Sequence, residues 1–212
     1  MKKINKIIKH HFFEKRLKKL RNYYCLRRKI RSFGSNIRIV VGSSGVFDDG
    51  WLPTDIEILD ILKDADWRRL FKNYPIKAIL AEHVWEHLSK NEGIIAARNC
   101  YKYLKKSGYL RIAVPDGHFP DSEYINYVKV GGVGAGAKDH KVLYTYKTLE
   151  HILKTAGFSV KLLEYFDEYG VFHFNDWDPA DGKIHRSKRF DPRNSNDQLK
   201  YTSIIIDAIK AL

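Results

Sequence analysis

IRIVVGSSG, residues 37–45, is the stretch that decides the fold. Ile37 to Val41 is a short, mainly β-branched run, the composition of a strand buried on both faces, and it breaks at once into Gly42-Ser43-Ser44-Gly45. Glycines after a strand let backbone approach a ligand closely, and serine hydroxyls and free amides can meet its polar groups. Such a strand and turn belong in an α/β sheet, where ligands gather outside the carboxyl ends of the parallel strands.

Working outward, the same alternation of short apolar runs and helical patterns continues. Residues 52–55 and 56–60 read as two further strands with little between them, and 66–71 as a short helical turn. A buried strand follows at 76–81, then a helix over 92–104, stopped by Ser107 and Gly108. Strands at 109–114, 158–166 and 202–209 and a helix at 145–156, ended by Gly157, complete the set. Strands alternating with helices predict a mostly parallel sheet with helices on both faces. The turn-rich residues 32–36 mark a boundary between a basic amphipathic helical segment, 1–33, and a globular domain, 34–212.

The formal charge of +13 is unevenly placed. Residues 1–31 carry 13 Lys and Arg against Glu14 alone, whereas 32–212 hold 25 basic and 24 acidic groups. A neutral body disfavours a domain-wide nucleic-acid surface and puts the electrostatic function in one segment. In that segment Ile4, Ile8, Phe12, Phe13, Leu17, Leu20 and Tyr24 recur at helical spacing. The helix either packs this stripe on its own body or meets an anionic membrane, where each basic residue contributes roughly 1 kcal/mol. The cysteines are Cys25 and Cys100, with no CxxC, so neither a disulfide framework nor a thiolate zinc site is encoded. No apolar run approaches the roughly 18 residues of a membrane span. The expected location is the cytoplasm, with peripheral contact at the inner membrane face.

Residues after the strands carry the candidate chemistry. Asp55 and Asp60 end the second and third expected strands, where a carboxylate can accept ribose hydroxyl protons or cap a turn. After the fourth strand comes EHVWEH, 82–87, in which His83 to His87 read HxxEH, the inverzincin zinc pattern of a metallohydrolase. A segment that begins directly after a buried strand argues against that, and a third ligand is arbitrary among Glu150, Glu164 and Glu168, so no metal ligand is assigned. The glycine-dense loop 131–137 lacks the lysine of a phosphate-binding loop and reads as a flexible lid. Residues 172–190, rich in aromatics, carboxylates and histidines, read as a platform for a carbohydrate or other polar acceptor, or as a loop packed on its own rings. Within it His173, Asp176, Asp178 and His185 are a second set with metal-ligand chemistry.

Taken in order, VVGSSG, GWLPTDI, ILDI, AILAEHVWEHL, CYKYLKKSGYLRIAVPD and TLEHILKTAGF resemble the class I S-adenosylmethionine-dependent methyltransferases, as found in small bacterial proteins. The resemblance covers roughly residues 36–166. Val40 stands where many relatives carry an acid, and Ser44 replaces the second glycine of GxG. The resemblance implies a Rossmann-like, seven-stranded sheet in the order 3-2-1-4-5-7-6 and S-adenosylmethionine as cofactor. It implies that Gly42, Ser43, Ser44 and Gly45 line the methionine part, that Asp55 binds the ribose, that Asp60 and the Ile61 backbone meet the adenine, and that Glu82 and His83 lie near the sulfonium. His140, His83 and Asp116 are the candidate bases for a hydroxyl acceptor, of small-molecule or glycan type. Two other classes stand beside this one: the zinc hydrolase of residues 83–87, and a non-catalytic module holding RNA or lipid through the basic helix, with nucleic acid the less favoured partner.

Overall fold

A computed structural model of the chain describes residues 2–195 and 198–212, and the side chains of all of these except 2–13 and 15. Its strands are β1 (Ile37–Val41), β2 (Leu52–Thr54), β3 (Ile76–Glu82), β4 (Leu104–Pro115), β5 (Ser159–Phe166), β6 (Phe172–Phe174) and β7 (Ser203–Ile209). They form one seven-stranded sheet in the order β2-β1-β3-β4-β7-β5-β6. β1 to β5 share one direction and β6 and β7 oppose it, since β2-β1, β1-β3 and β3-β4 pair parallel and β4-β7, β7-β5 and β5-β6 antiparallel.

One expected strand is absent. Residues 56–60 form a turn, because the Asp55 carbonyl accepts the amides of Ile58 at 2.9 Å and Leu59 at 3.0 Å. Ile56 is 73% exposed, so its apolar side chain is not a core position. The seventh strand is instead β6 at the far edge, too short to show an alternating pattern. The other six stand in the expected order.

The helices are α1 (Lys2–Phe33), α2 (Asp64–Phe71), α3 (Lys90–Tyr103), α4 (Ser122–Val128) and α5 (Tyr146–Thr155). α3 begins in a capping box: Ser89 Oγ accepts the Glu92 amide and the Glu92 carboxylate accepts the Ser89 amide at 2.8 Å. α5 ends at Ala156, after which Gly157 turns at φ +102°, a conformation only glycine adopts without strain.

Strand alternation sorts the core into two layers. Ile37, Ile39, Ile79, Leu110, Ile112 and Ile206 face α2, α3 and α5, joined by Leu26 and Ile30 from the last turns of α1. The basic helix is thus anchored at its carboxyl end; the Ile4, Ile8, Phe12 and Phe13 part of its expected stripe lies outside the described side chains. On the other face Val40, Ala78, Leu80, Ala113 and Ile205 meet Trp51, Trp177, Ile184 and Phe190. Helices were expected there too; what completes this layer is the irregular stretch 175–191, with one 3₁₀ turn at Pro179–Asp181. Two strand-borne carboxylates hold that stretch. Buried Glu164 of β5 accepts Trp177 Nε1 at 3.0 Å and the Lys188 amide at 2.8 Å, and Glu82 of β3 accepts the amides of His185 at 3.1 Å and Arg186 at 2.7 Å. Buried Arg111 joins β4 to β7 through Asp207, at 2.7 and 2.9 Å, and donates to the Gly182 carbonyl. Among the described residues no helix is long and apolar enough to cross a membrane.

Candidate active site

A cleft of about 460 Å³ opens at the carboxyl ends of β1 and β3. Gly42, Ser43 and Ser44 line it from the turn after β1, Glu82 and His83 from the end of β3, and Glu86, His87 and His140 beyond them. Lys183, His185 and Arg186 close it from the irregular stretch.

The turn is built to come close. Gly42 sits at φ +60°, and a Cβ there would stand 2.7 Å from Val84 Cγ2. The turn is gripped by Asp55, whose carboxylate accepts Ser43 Oγ at 3.0 Å and the Ser44 amide at 2.9 Å. Both Asp55 oxygens are therefore directed at the turn, and Asp55 does not line the cleft. Gly45 folds its amide back toward Ser43 Oγ and also lies off the lining. Asp60 accepts the Leu62 amide at 3.1 Å and pairs with Lys63 at 2.9 Å, while the Ile61 carbonyl accepts Trp67 Nε1 and Asn99 Nδ2. These two residues tie α2 and α3 to the loop before them, away from the cleft lining.

Trp85–His87 is a 3₁₀ turn in which Trp85 is fully buried. His83 and His87 do not share an α-helical face, as the HxxEH reading requires. His83 adopts φ +55°, a strained conformation for a residue with a side chain, which aims its ring back across the sheet. Its Nε2 meets Ser203 Oγ at 3.1 Å; because that hydroxyl donates to the Arg186 carbonyl, Nε2 carries the proton. Its Nδ1 stands 2.8 Å from Glu86 Oε1 but out of line for a hydrogen bond.

His140 is 9% exposed, and its Nδ1 donates to the Val128 carbonyl at 2.7 Å, since a carbonyl can only accept. Nε2 is left with its lone pair. The Glu86 carbonyl accepts the amides of Lys141 at 2.7 Å and Val142 at 3.2 Å, which seats His140 beside the 3₁₀ turn. Asp116 is wholly buried and off the cleft lining; its carboxylate accepts the amides of His118 at 2.9 Å and Phe166 at 2.7 Å. Burial pushes this carboxyl up to about 6, against the pull of those two amides and of the His118 charge. The glycine loop is packed rather than free: a Cβ at Gly132 would lie 2.7 Å from the Asn126 carbonyl, and one at Gly134 2.5 Å from that of Tyr127. The second metal set is not assembled, because His173 pairs with Asp167, Asp176 with Arg189, and Asp178 caps the turn at Ala180.

The sequence flagged Glu86 and His87 only through the zinc pattern, and it missed Asp48, Lys183, Arg193 and Tyr201 in the cleft wall. Arg193 and Tyr201 form a stacked cation–π pair, 3.5 Å from guanidinium to ring centroid, between positions that no local motif connects.

No sequence pattern of a known family matches the chain, and no curated protein does. Among solved structures, a SAM-dependent methyltransferase from Archaeoglobus fulgidus is 17% identical with a TM-score of 0.50, over 95% of this chain and 99% of that one. An O-methyltransferase family protein from Burkholderia thailandensis is 9% identical with a TM-score of 0.44, over 76% of this chain and 36% of that one. The S-adenosylmethionine-dependent methyltransferase SibL is 11% identical with a TM-score of 0.41, over 84% of this chain and 44% of that one. The strand order and the first of these likenesses establish one point: the chain has the fold of the class I S-adenosylmethionine-dependent methyltransferases.

Proposed function

We propose that the chain binds S-adenosylmethionine in this cleft and transfers its methyl group to an oxygen of a small or sugar-like acceptor. The observation that carries the reading is the Gly42–Ser44 turn, which faces Glu82 and His83 across a cleft at the carboxyl ends of adjacent parallel strands. The residues present suit the cofactor. Gly42 at φ +60° sets the turn at the cleft edge, Phe47 and Trp51 offer aromatic surface, and the volume lies within the roughly 300–1,000 Å³ of small-molecule sites. Asp48, Glu82 and Glu86 oppose Lys183, Arg186 and Arg193, so both signs of charge are at hand for a sulfonium and an amino-acid end.

In this reading Gly42, Ser43 and Ser44 hold the methionine part, with Asp55 and Gly45 setting the shape of the turn. The ribose hydroxyls fall to Asp48, which lines the cleft and whose carboxylate makes no hydrogen bond among the described residues. When bound, the cofactor supplies an electrophilic methyl group. The chain contributes alignment, exclusion of water, and an acceptor-side lone pair at His140 Nε2 that can take a hydroxyl proton, an effect of about 10²- to 10⁴-fold. Calorimetric titration with S-adenosylhomocysteine tests the reading: saturable binding near one equivalent supports it, and no heat of binding overturns it.

The basic helix adds a proposed location, the surface of an anionic membrane. Leu17, Leu20 and Tyr24 are exposed among Arg16, Lys18, Lys19, Arg21, Arg27 and Arg28, the mixture that such a surface attracts.

A further inference from the structure

We infer that Glu86, His87 and His140 bind a divalent transition-metal ion in the cleft, with open coordination positions that take an oxygen of the acceptor. The site itself stands on geometry alone; the part it gives the acceptor rests on the methyltransferase reading.

Three ligand atoms, one from each residue, lie within 4.8 Å of one another. Glu86 is 1% exposed, and neither carboxylate oxygen has a hydrogen-bond partner among the described residues. Buried carboxylates normally accept several hydrogen bonds, because an unpaired buried charge is among the most costly features a fold can carry. Among the described residues the rule holds elsewhere: buried Asp191, Glu164 and Asp116 each accept at least two hydrogen bonds. Glu86 is the exception, and it lines the cleft.

His83 meets only part of the need, as an ion pair with Oε1 at 2.8 Å. Its Nδ1 faces only Oε1, out of hydrogen-bond alignment, and its Nε2 is committed to Ser203. Oε2 is left with nothing. A cation between Glu86 and the two imidazoles would satisfy it.

The imidazoles are prepared for that ion. His140 Nδ1–H is fixed on the Val128 carbonyl, the outer bond that orients a metal-binding histidine and presents Nε2 as donor. A bound ion would take the lone pair otherwise offered as base, and polarisation of the acceptor oxygen would replace proton abstraction by His140. The His87 ring stands edge to face against it, with centroids 4.9 Å apart at 79°. The Glu86 carbonyl ties down the backbone directly after His140, so the two elements that supply the ligands are locked together. One carboxylate and two imidazoles form a borderline donor set that suits zinc, cobalt, iron or manganese and disfavours magnesium and calcium, which prefer oxygen. Three protein ligands leave a position open, as in metal sites that act on a substrate.

The test uses the full chain without an added histidine tag, stripped with a chelator and titrated with Co²⁺ and Zn²⁺. The expected result is about one ion per chain, visible absorption from Co²⁺ bound to nitrogen, and displacement by Zn²⁺ but not Mg²⁺. Glu86→Gln and His140→Ala should each weaken Co²⁺ binding about tenfold or more. His87→Ala, at a half-buried position, decides the matter if either of those fails to fold. Asp55→Ala should leave Co²⁺ binding unchanged while weakening S-adenosylhomocysteine, which separates failure of the metal site from failure of the cofactor reading. Absence of Co²⁺ binding, or equal binding by wild type and His87→Ala, overturns the inference.

Discussion

The Asp55 carboxylate holds Ser43 by its hydroxyl, at 3.0 Å, and Ser44 by its amide, at 2.9 Å, so an acid at the end of β2 fixes the turn at the end of β1. Hydrogen bonds to a charged group contribute about 1.5–3 kcal/mol each, and about 1.4 kcal/mol is tenfold in affinity. Asp55→Ala should therefore weaken S-adenosylhomocysteine about tenfold or more in calorimetry, with Asp55→Asn intermediate. An unchanged Kd for the alanine variant would detach this turn from the cofactor.

Gly42→Ala introduces two separate costs. The residue sits at φ +60°, worth about 1–2 kcal/mol against a side chain, and the new methyl meets Val84 at 2.7 Å, an overpacking cost of about 1–3 kcal/mol. Urea denaturation should show both. The Gly42→Ala, Val84→Ala double variant should be less destabilised than the sum of the two singles, because only the clash is relieved.

Asp116 gives a pH signature. The folded chain holds its proton more tightly than the unfolded one, at about 6 against an ordinary 3.8. Its contribution is full below pH 3.8 and is lost as pH rises through about 6, a change of about 3 kcal/mol. Carboxyl-carbon NMR should find the Asp116 midpoint near 6; a midpoint near 4 would show that its burial is relieved in solution.

The Arg111–Asp207 pair joins β4 and β7 from a buried position. Asp207→Asn leaves the guanidinium without its counter-charge and should cost about 3 kcal/mol of stability by chemical denaturation. A loss below about 0.5 kcal/mol would mean that water reaches the guanidinium, as at an exposed pair.

Removal of residues 2–21 should leave the domain folded and abolish co-sedimentation with anionic vesicles, while neutral vesicles bind neither form. Extending the deletion to residue 31 removes Leu26 and Ile30, each worth about 2 kcal/mol or more of core packing, and should lower Tm. Equal vesicle binding by the full chain and the 2–21 deletion would remove the membrane proposal.

Most of the fold was legible because strands 37–41, 76–81 and 109–114 are nearly continuous apolar runs and because Thr145 and Gly157 mark helix ends by local chemistry, whereas the Ser89 cap, which starts its helix two residues before the expected 92, went unread. Residues 56–60 misled because an aspartate-led turn shows the same apolar spacing as a short strand, and hydrogen bonds rather than spacing decide between them. The site was legible where one turn carries it, as at Gly42 to Ser44. It was not legible where distant segments meet. His140 was singled out as a base, but its nearness to Glu86 and His87 depends on backbone bonds between residues more than fifty positions apart.

Glu82 fastens residues 185 and 186 over the sheet, and that bond has a consequence for the order in which the molecule is made. The parallel strands are synthesised first, with Val40, Leu80 and Ala113 bare on one side until the residues that roof them emerge. A nascent chain halted near residue 170 would possess the glycine-serine turn yet present a sticky, unroofed surface to its surroundings or to a chaperone. Completion of the cleft thus waits on residues 183–201, which supply Lys183, His185, Arg186, Arg193 and Tyr201 to its wall.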